Sequence, residues 1–236
     1  MPGKEDGKGE PLRGYLLDPH VHTAEVSACG RIGGRRLAEL YRKAGYDGIV
    51  VTDHYTPEFF KELGSCGWPR KIERFFAGYR EAKRRGGEIG LDVLPGLELR
   101  LEGSWEDYLV YGADERSLAG APDLTGLGPE GLHGFCAAHG LLVYQAHPFR
   151  PGMRTADPRC LDGVEVHNGN PRHESRNELA LAFARRHGLR MLSGSDCHQP
   201  EDVGRGGIVL AEPARTAADL ADLLRRGGIL RVVGVP

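Results

Sequence analysis

The chain has 236 residues, 40% of them hydrophobic, and a formal net charge of −2 at pH 7. That length and apolar content suit one large α/β domain with a sizeable core. The near-neutral charge supplies no global basic field for long nucleic acid, and no apolar run approaches the roughly 18 residues of a membrane span.

Residues 1–13 (MPGKEDGKGEPLR) have the polar, Gly- and Lys-rich composition of a mobile tail, without the apolar stretch of a signal peptide, and residues 14–236 read as a single domain. Tyr15–Val21 reads as a first strand. Arg35–Ala44 places Leu37, Leu40 and Tyr41 at helical spacing and stops at Gly45. Gly48–Val51 is a short apolar strand running into Thr52-Asp53-His54. Residues 57–87 read as helical, broken over Gly64–Pro69, and Phe59, Phe60, Trp68, Phe75 and Phe76 supply the apolar face such helices need rather than a lid. Val93–Leu101 and Tyr108–Tyr111 are strands joined by a tight turn at Gly103. Pro129–His139 is a helix, Leu141–Ala146 and Gly163–Val166 are strands, Glu174–His187 is a helix and Arg190–Leu192 a strand. Ile208–Leu210, Ala217–Arg225 and Ile229–Val233 close the chain as strand, helix and strand.

Repeated β-then-α units imply a mostly parallel sheet with helices outside, and such folds collect functional groups at the carboxyl ends of their strands. The unusual polar residues fall there. His20 and His22 end the first strand, Asp53 and His54 the second, and Glu98 lies late in the third. His147 follows Leu142–Ala146, Glu165 and His167 end the next strand, and Asp196 and His198 follow Met191-Leu192. Residues i and i+2 of an extended chain share a face, so His20 with His22, and Asp196 with His198, each aim at one point. A lone His54 or His147 is more often structural, but this many ligand types at matching strand ends point to a multinuclear metal site. Imidazole with carboxylate suits divalent Zn, Mn or Fe. His133, His139, His173 and His187 read as surface or helix-capping residues, and His167 is open. Alternation turns Cys197 away from its neighbours, towards packing. The five cysteines include no CxxC pair and read as reduced thiols of a cytoplasmic protein.

The set Asp18-Pro19-His20-Val21-His22-Thr23, Thr52-Asp53-His54, Gly96-Leu97-Glu98, Ala146-His147-Pro148 and Gly194-Ser195-Asp196-Cys197-His198 resembles the polymerase and histidinol phosphatase (PHP) domain family over roughly residues 15–200. The resemblance implies a distorted (β/α)7 barrel with a metal site at the C-terminal mouth of its strands. It also implies phosphoester hydrolysis with two to three divalent ions. Carried over by motif, His20, His22, Glu98 and Asp196 hold the first ion, Glu98 and His147 share a second, and His54 and His198 hold a third. The chain departs from the family in having Ala28, with Glu25 and Cys29 nearby, where a His or Asp often follows the HxH pair. It also has no His in Tyr108–Gly112.

The mechanism so implied is attack by a metal-bound hydroxide on a small phosphate ester: a phosphomonoester, nucleotide or short oligonucleotide. Arg150 is the first candidate to meet the phosphoryl oxygens, with Arg154 behind it. His198, or His54 if its metal is missing, protonates the leaving alkoxide, Asp53 orients a neighbouring ligand, and Asn168 and Asn170 are placed to touch substrate. An amidohydrolase-like C–N hydrolase is the nearest alternative. Binuclear versions bridge their metals with a carboxylated lysine, and the last lysine here is Lys83, so Glu98 takes that place. A non-catalytic metal-binding regulatory module is the other alternative, and the oligomeric state is open.

Overall fold

The computed structural model describes residues 14–235; the tail expected over residues 1–13 lies outside them. The first strand, β1, is Tyr15–Val21, followed by α1 (Gly34–Lys43), β2 (Gly48–Val51) and the two-residue β3 (His54–Tyr55). Helices α2 (Pro57–Glu62), α3 (Trp68–Phe75) and α4 (Ala77–Ile89) then lead to β4 (Asp92–Arg100) and β5 (Asp107–Tyr111). Next come α5 (Glu115–Ala119), α6 (Gly128–Ala138), β6 (Leu142–Gln145), β7 (Gly163–Asn168), α7 (Asn177–His187) and β8 (Arg190–Gly194). The chain ends through β9 (Ile208–Leu210), α8 (Ala217–Arg225) and β10 (Ile229–Val232).

Local chemistry explains several boundaries. Both Glu25 carboxylate oxygens accept from Gly34 N at 3.0 Å, satisfying a donor at the start of α1, and Arg42 and Lys43 complement the negative end of its dipole. Thr56 caps α2, accepting from Phe59 N at 3.2 Å. Thr216 and Asp219 form a capping box on α8. Helix α7 starts at Asn177 rather than at Glu174, because Arg176 takes a left-handed backbone (φ 49°) that a helix cannot include. Periodicity also missed β3 and α5, each too short to show a period.

The strands run β10-β9-β1-β2-β4-β5-β6-β7-β8, with β3 paired to β4. Parallel pairs join β1 to β2, β2 and β3 to β4, β6 to β7, and β7 to β8. The expectation of a mostly parallel succession fails at β5, which is antiparallel to both β4 and β6, and at the antiparallel β9 and β10. A hairpin as short as the one at Gly103 permits nothing else, since a parallel return needs a long crossover. The sheet curls until its ends nearly meet. Val21 bridges Cys197 in parallel, His22 N donates to Cys197 O at 2.9 Å, and Ser195 N donates to Asp18 Oδ1 at 3.1 Å.

Leu17, Val50, Leu94, Leu109 and Leu192, from five different strands, pack with Leu220, Leu223 and Leu224 of α8. That leaves the opposite, carboxyl-end half of the barrel for polar groups. Tyr55 packs edge to face on Phe60 and Phe75 at centroid distances of 4.6 and 5.2 Å, with Phe59 and Trp68 beside them, so these aromatics serve the core as expected. Among the described residues no helix is long and apolar enough to cross a membrane.

Candidate metal centre

Four strand ends bring the side chains together. His20 and His22 leave β1, Glu98 projects from β4 and Asp196 follows β8, and all four are buried. His20 Nε2 lies 3.3 Å from Glu98 Oε1 and 3.5 Å from Asp196 Oδ1; His22 Nε2 lies 3.4 Å from Glu98 Oε2 and 3.3 Å from Asp196 Oδ1. Two further groups adjoin this one: His22 with His54 and His198, and Glu98 with Asp107 and His147. Glu98 is the hinge of the arrangement, with His147 Nε2 2.8 Å from one oxygen and His54 Nδ1 2.9 Å from the other. All seven residues assigned as ligands by resemblance therefore meet at one mouth. The i, i+2 argument holds for His20 and His22 but not for the far pair. Asp196 has φ 51° and His147 φ 27°, left-handed values that non-glycine residues adopt where the surroundings compel them. His198 still stacks on His22 at 4.1 Å.

The rings are held from behind. His20 Nδ1 lies 2.8 Å from Glu165 Oε1, while Glu165 Oε2 accepts from His147 N at 3.0 Å and Asn168 Nδ2 at 2.9 Å. His22 Nδ1 lies 3.2 Å from Ser27 Oγ, which donates to Asp53 at 2.7 Å and accepts from His54 N at 3.1 Å. Asp53 also accepts from Thr23 N at 2.7 Å and Thr23 Oγ1 at 2.6 Å, so it orients His22 through Ser27 and fixes the loop after β1. Holding Nδ1 leaves Nε2 of each ring facing the centre.

The two carboxyls and His22 carry the ionisation a ligand needs, while His20 and His54 are raised well above the ordinary imidazole value, against burial, by the carboxylates facing them. Burial opposes ionisation of Glu98, but the neighbouring His20 and His54 and the hydrogen bond from His147 hold its carboxyl well below the usual range. Asp196 is likewise held low, against burial, by His20, His22 and Arg150. Burial, with His198 and His54 nearby, pushes His22 well below the ordinary imidazole value and keeps it neutral, the form that binds a metal.

The residues fit divalent cations by a direct test. Nε2 of His20, Nε2 of His22, Nδ1 of His54 and Oε2 of Glu98 are buried and make no well-aligned hydrogen bond, although His54 Nδ1 and Glu98 Oε2 stand 2.9 Å apart. Leaving a buried polar group unpaired costs about 1–3 kcal/mol, and these four atoms belong to residues that converge on one another. Cations held in the adjoining groups His20–His22–Glu98–Asp196 and His22–His54–His198 would satisfy all four, and imidazole with carboxylate matches Zn, Mn or Fe(II).

A cavity of about 610 Å³ opens above the centre, with His54, His147, Arg150 and His198 in its wall. Arg150 reaches Asp196 and donates to Asn168 Oδ1 at 2.9 Å, so its guanidinium stands beside the centre. Asn170 also lines this space and donates to Asp196 O at 3.1 Å. Arg154 does not belong here: it is 84% exposed and pairs with Glu106. His167 turns to Arg205 O and Asn177, Glu25 caps α1, and Cys197 packs with Val21 and Tyr41. His139 bonds Phe135 O at 2.8 Å on its own helix, and His173, expected as a surface or capping residue, is exposed and stands in the cavity wall. Cys29, whose role the sequence left open, stands in the cavity wall; burial opposes ionisation of its thiol, but the neighbouring His198 and His54 bring it down to about 6. Asp107 was missed altogether. Because β5 is antiparallel, its first residue, not its last, reaches the mouth. The visible signal was the tight turn at Gly103, which dictates that reversal.

A family model described as PHP-associated matches residues 174–229. No curated protein matches the sequence. Among solved structures, a two-domain protein from Bacteroides vulgatus containing a predicted PHP-like metal-dependent phosphoesterase aligns with TM-score 0.63 and 18% identity, covering 91% of this chain and 63% of that one. The chain is a PHP-fold protein. A lesion-specific endonuclease from Pyrococcus furiosus shares the PHP fold of this chain at TM-score 0.61 and 15% identity, over 94% of this chain and 59% of its own. An amidohydrolase from Chromobacterium violaceum, with bound sulfate and no metal, aligns at TM-score 0.56 and 18% identity, over 91% of this chain and 97% of its own. The PHP barrel described here thus spans less than two thirds of the Bacteroides and Pyrococcus chains.

Proposed function

We propose that the protein is a metal-dependent phosphoesterase acting on small phosphate esters, with His20, His22, Glu98 and Asp196 as ligands of one ion and His54, His147 and His198 as ligands of its neighbours. The observation that carries this reading is the set of four buried donor atoms on His20, His22, His54 and Glu98 that make no well-aligned hydrogen bond. Divalent ions held there supply positive charge to phosphoryl oxygens and lower the pKa of water towards neutrality. The chain's own groups do the rest. Arg150, fixed by Asn168 and Asp196, adds a guanidinium to complement charge developing on the phosphoryl group. His198 and His54 reach the cavity while touching the centre, so whichever of them holds no ion can hand a proton to the leaving alkoxide. Asp53 positions His22 and takes no part in proton transfer. Glu98 serves as the shared carboxylate that a binuclear amidohydrolase draws from lysine, and this favours phosphoester over amide chemistry. The free cysteines suit a cytoplasmic setting.

The test is phosphate release by chelator-stripped protein reloaded with Mn or Zn, on p-nitrophenyl phosphate, adenosine 5′-monophosphate and glycerol 3-phosphate, with a dihydropyrimidine panel alongside. Metal-dependent phosphate release, reduced at least about 100-fold by Asp196→Asn, is expected. Amide turnover alone, or a metal-loaded protein inert on every substrate, contradicts the proposal.

A further inference from the structure

Trp105 is 73% exposed, in a protein whose other exposed large hydrophobics among the described residues are Leu179 and Leu230. It stands in the short turn between β4 and β5, on the wall of a second cavity of about 830 Å³ that also contains Phe59. Cys29, His54 and Arg100 line both this cavity and the one above the metal centre, so the two adjoin. The turn is not a loose tip. Glu102 N donates to Thr125 O at 2.8 Å and Ser104 N to Leu101 O at 3.1 Å. On the other side, buried Glu106 accepts from both N and Nε of Arg154 at 3.1 Å. An indole held in water by anchored neighbours on both sides is a platform for a planar ring.

The polar groups of this second cavity select against an anion. Glu58 and Glu62 are exposed carboxylates on its wall. Its one guanidinium, Arg100, is already engaged by both oxygens of Asp107 at 2.8 Å. A phosphate is therefore repelled here and belongs at the metal centre, while an uncharged group bearing hydroxyl or amino donors is welcome.

We infer that this cavity receives the leaving group of the ester, and that the group it fits is aromatic and uncharged with hydrogen-bond donors, of the nucleoside class, stacked on Trp105. This rests on the phosphoesterase reading. His54, on the boundary between the cavities, then lies between phosphorus and the departing oxygen's substituent, where the proton is needed. Stacking of a base on an aromatic side chain is lost on truncation to alanine, at a cost worth roughly tenfold or more in binding.

Two measurements test this. In the first, Trp68→Phe leaves Trp105 as the only indole, and its fluorescence is followed during titration of the metal-loaded protein. Adenosine 5′-monophosphate quenches it saturably and glycerol 3-phosphate does not. In the second, Trp105→Ala lowers the ratio of kcat/KM for adenosine 5′-monophosphate over glycerol 3-phosphate about tenfold, mostly through KM, and Trp105→Phe restores most of it. No selective quench, or an unchanged ratio in Trp105→Ala, overturns the inference while leaving the phosphoesterase reading intact. A protein that hydrolyses neither ester overturns the phosphoesterase reading instead, and the fluorescence titration still decides whether Trp105 binds the ring.

Discussion

His20 can present Nε2 to the centre because Glu165 occupies its Nδ1 at 2.8 Å, and the same carboxylate fixes the backbone of His147 through a 3.0 Å bond. One residue thus positions ligands from two strands without touching the metal position itself. Glu165→Gln keeps the shape and removes the charge, and metal affinity should fall about 10- to 100-fold in a chelator-competition titration. An unchanged affinity would mean that the rings are held by packing alone. Glu165 was visible in the sequence as a polar residue at a strand end, but its role was not, because whether a carboxylate faces a metal or the back of an imidazole depends on register. The candidate ligands themselves were legible, since each carries its chemistry in its side chain and each sits beside an apolar strand. The unusual backbone of Asp196 and His147 was not, for no residue type there signals a left-handed conformation.

At the scale of elements, β4 organises the mouth. It begins beside β2, continues beside β3, and turns back into β5, so Glu98, His54 and Asp107 meet around one strand. The turn is pinned by Glu106. Burial opposes ionisation of this carboxyl, but hydrogen bonds from Ser104 and Arg154 outweigh it and bring the pKa from 4.5 down to about 2. A folded pKa below the unfolded value means that the stabilisation is fully present above pH 4.5 and is lost as pH falls towards 2. Glu106→Gln should therefore cost about 1 kcal/mol in urea denaturation at pH 7, with the gap to the natural protein closing between pH 4.5 and 2. A gap independent of pH would show that the charge does not pin the turn. Most elements could be placed from periodicity and breakers to within a residue or two. The start of α7 and the two-residue β3 could not, being set by one backbone angle and by one short pairing.

For the molecule as a whole, the centre lies where the barrel closes. Its candidate ligands come from β1, β3, β4 and the segments after β1, β6 and β8, so an ion bound there would tie β1 to the end of β8. Such binding acts on the global folding equilibrium. At a free metal concentration 100 times Kd the gain is about 2.7 kcal/mol, which for a chain of this size raises Tm by about 5–10 °C. Chelator-stripped protein should show that rise on reloading, and His22→Ala should show less of it; a Tm indifferent to metal would place any bound ion outside the barrel seam. The most direct measurement is anomalous scattering from crystals of the Mn- or Zn-loaded protein, with data collected across the metal edge. Expected is a peak bounded by His20, His22, Glu98 and Asp196, with further density towards His54 and His198 or towards His147. Metal-loaded crystals with no peak among these residues, or with peaks only elsewhere, would contradict the metal centre and the hydrolytic function built on it.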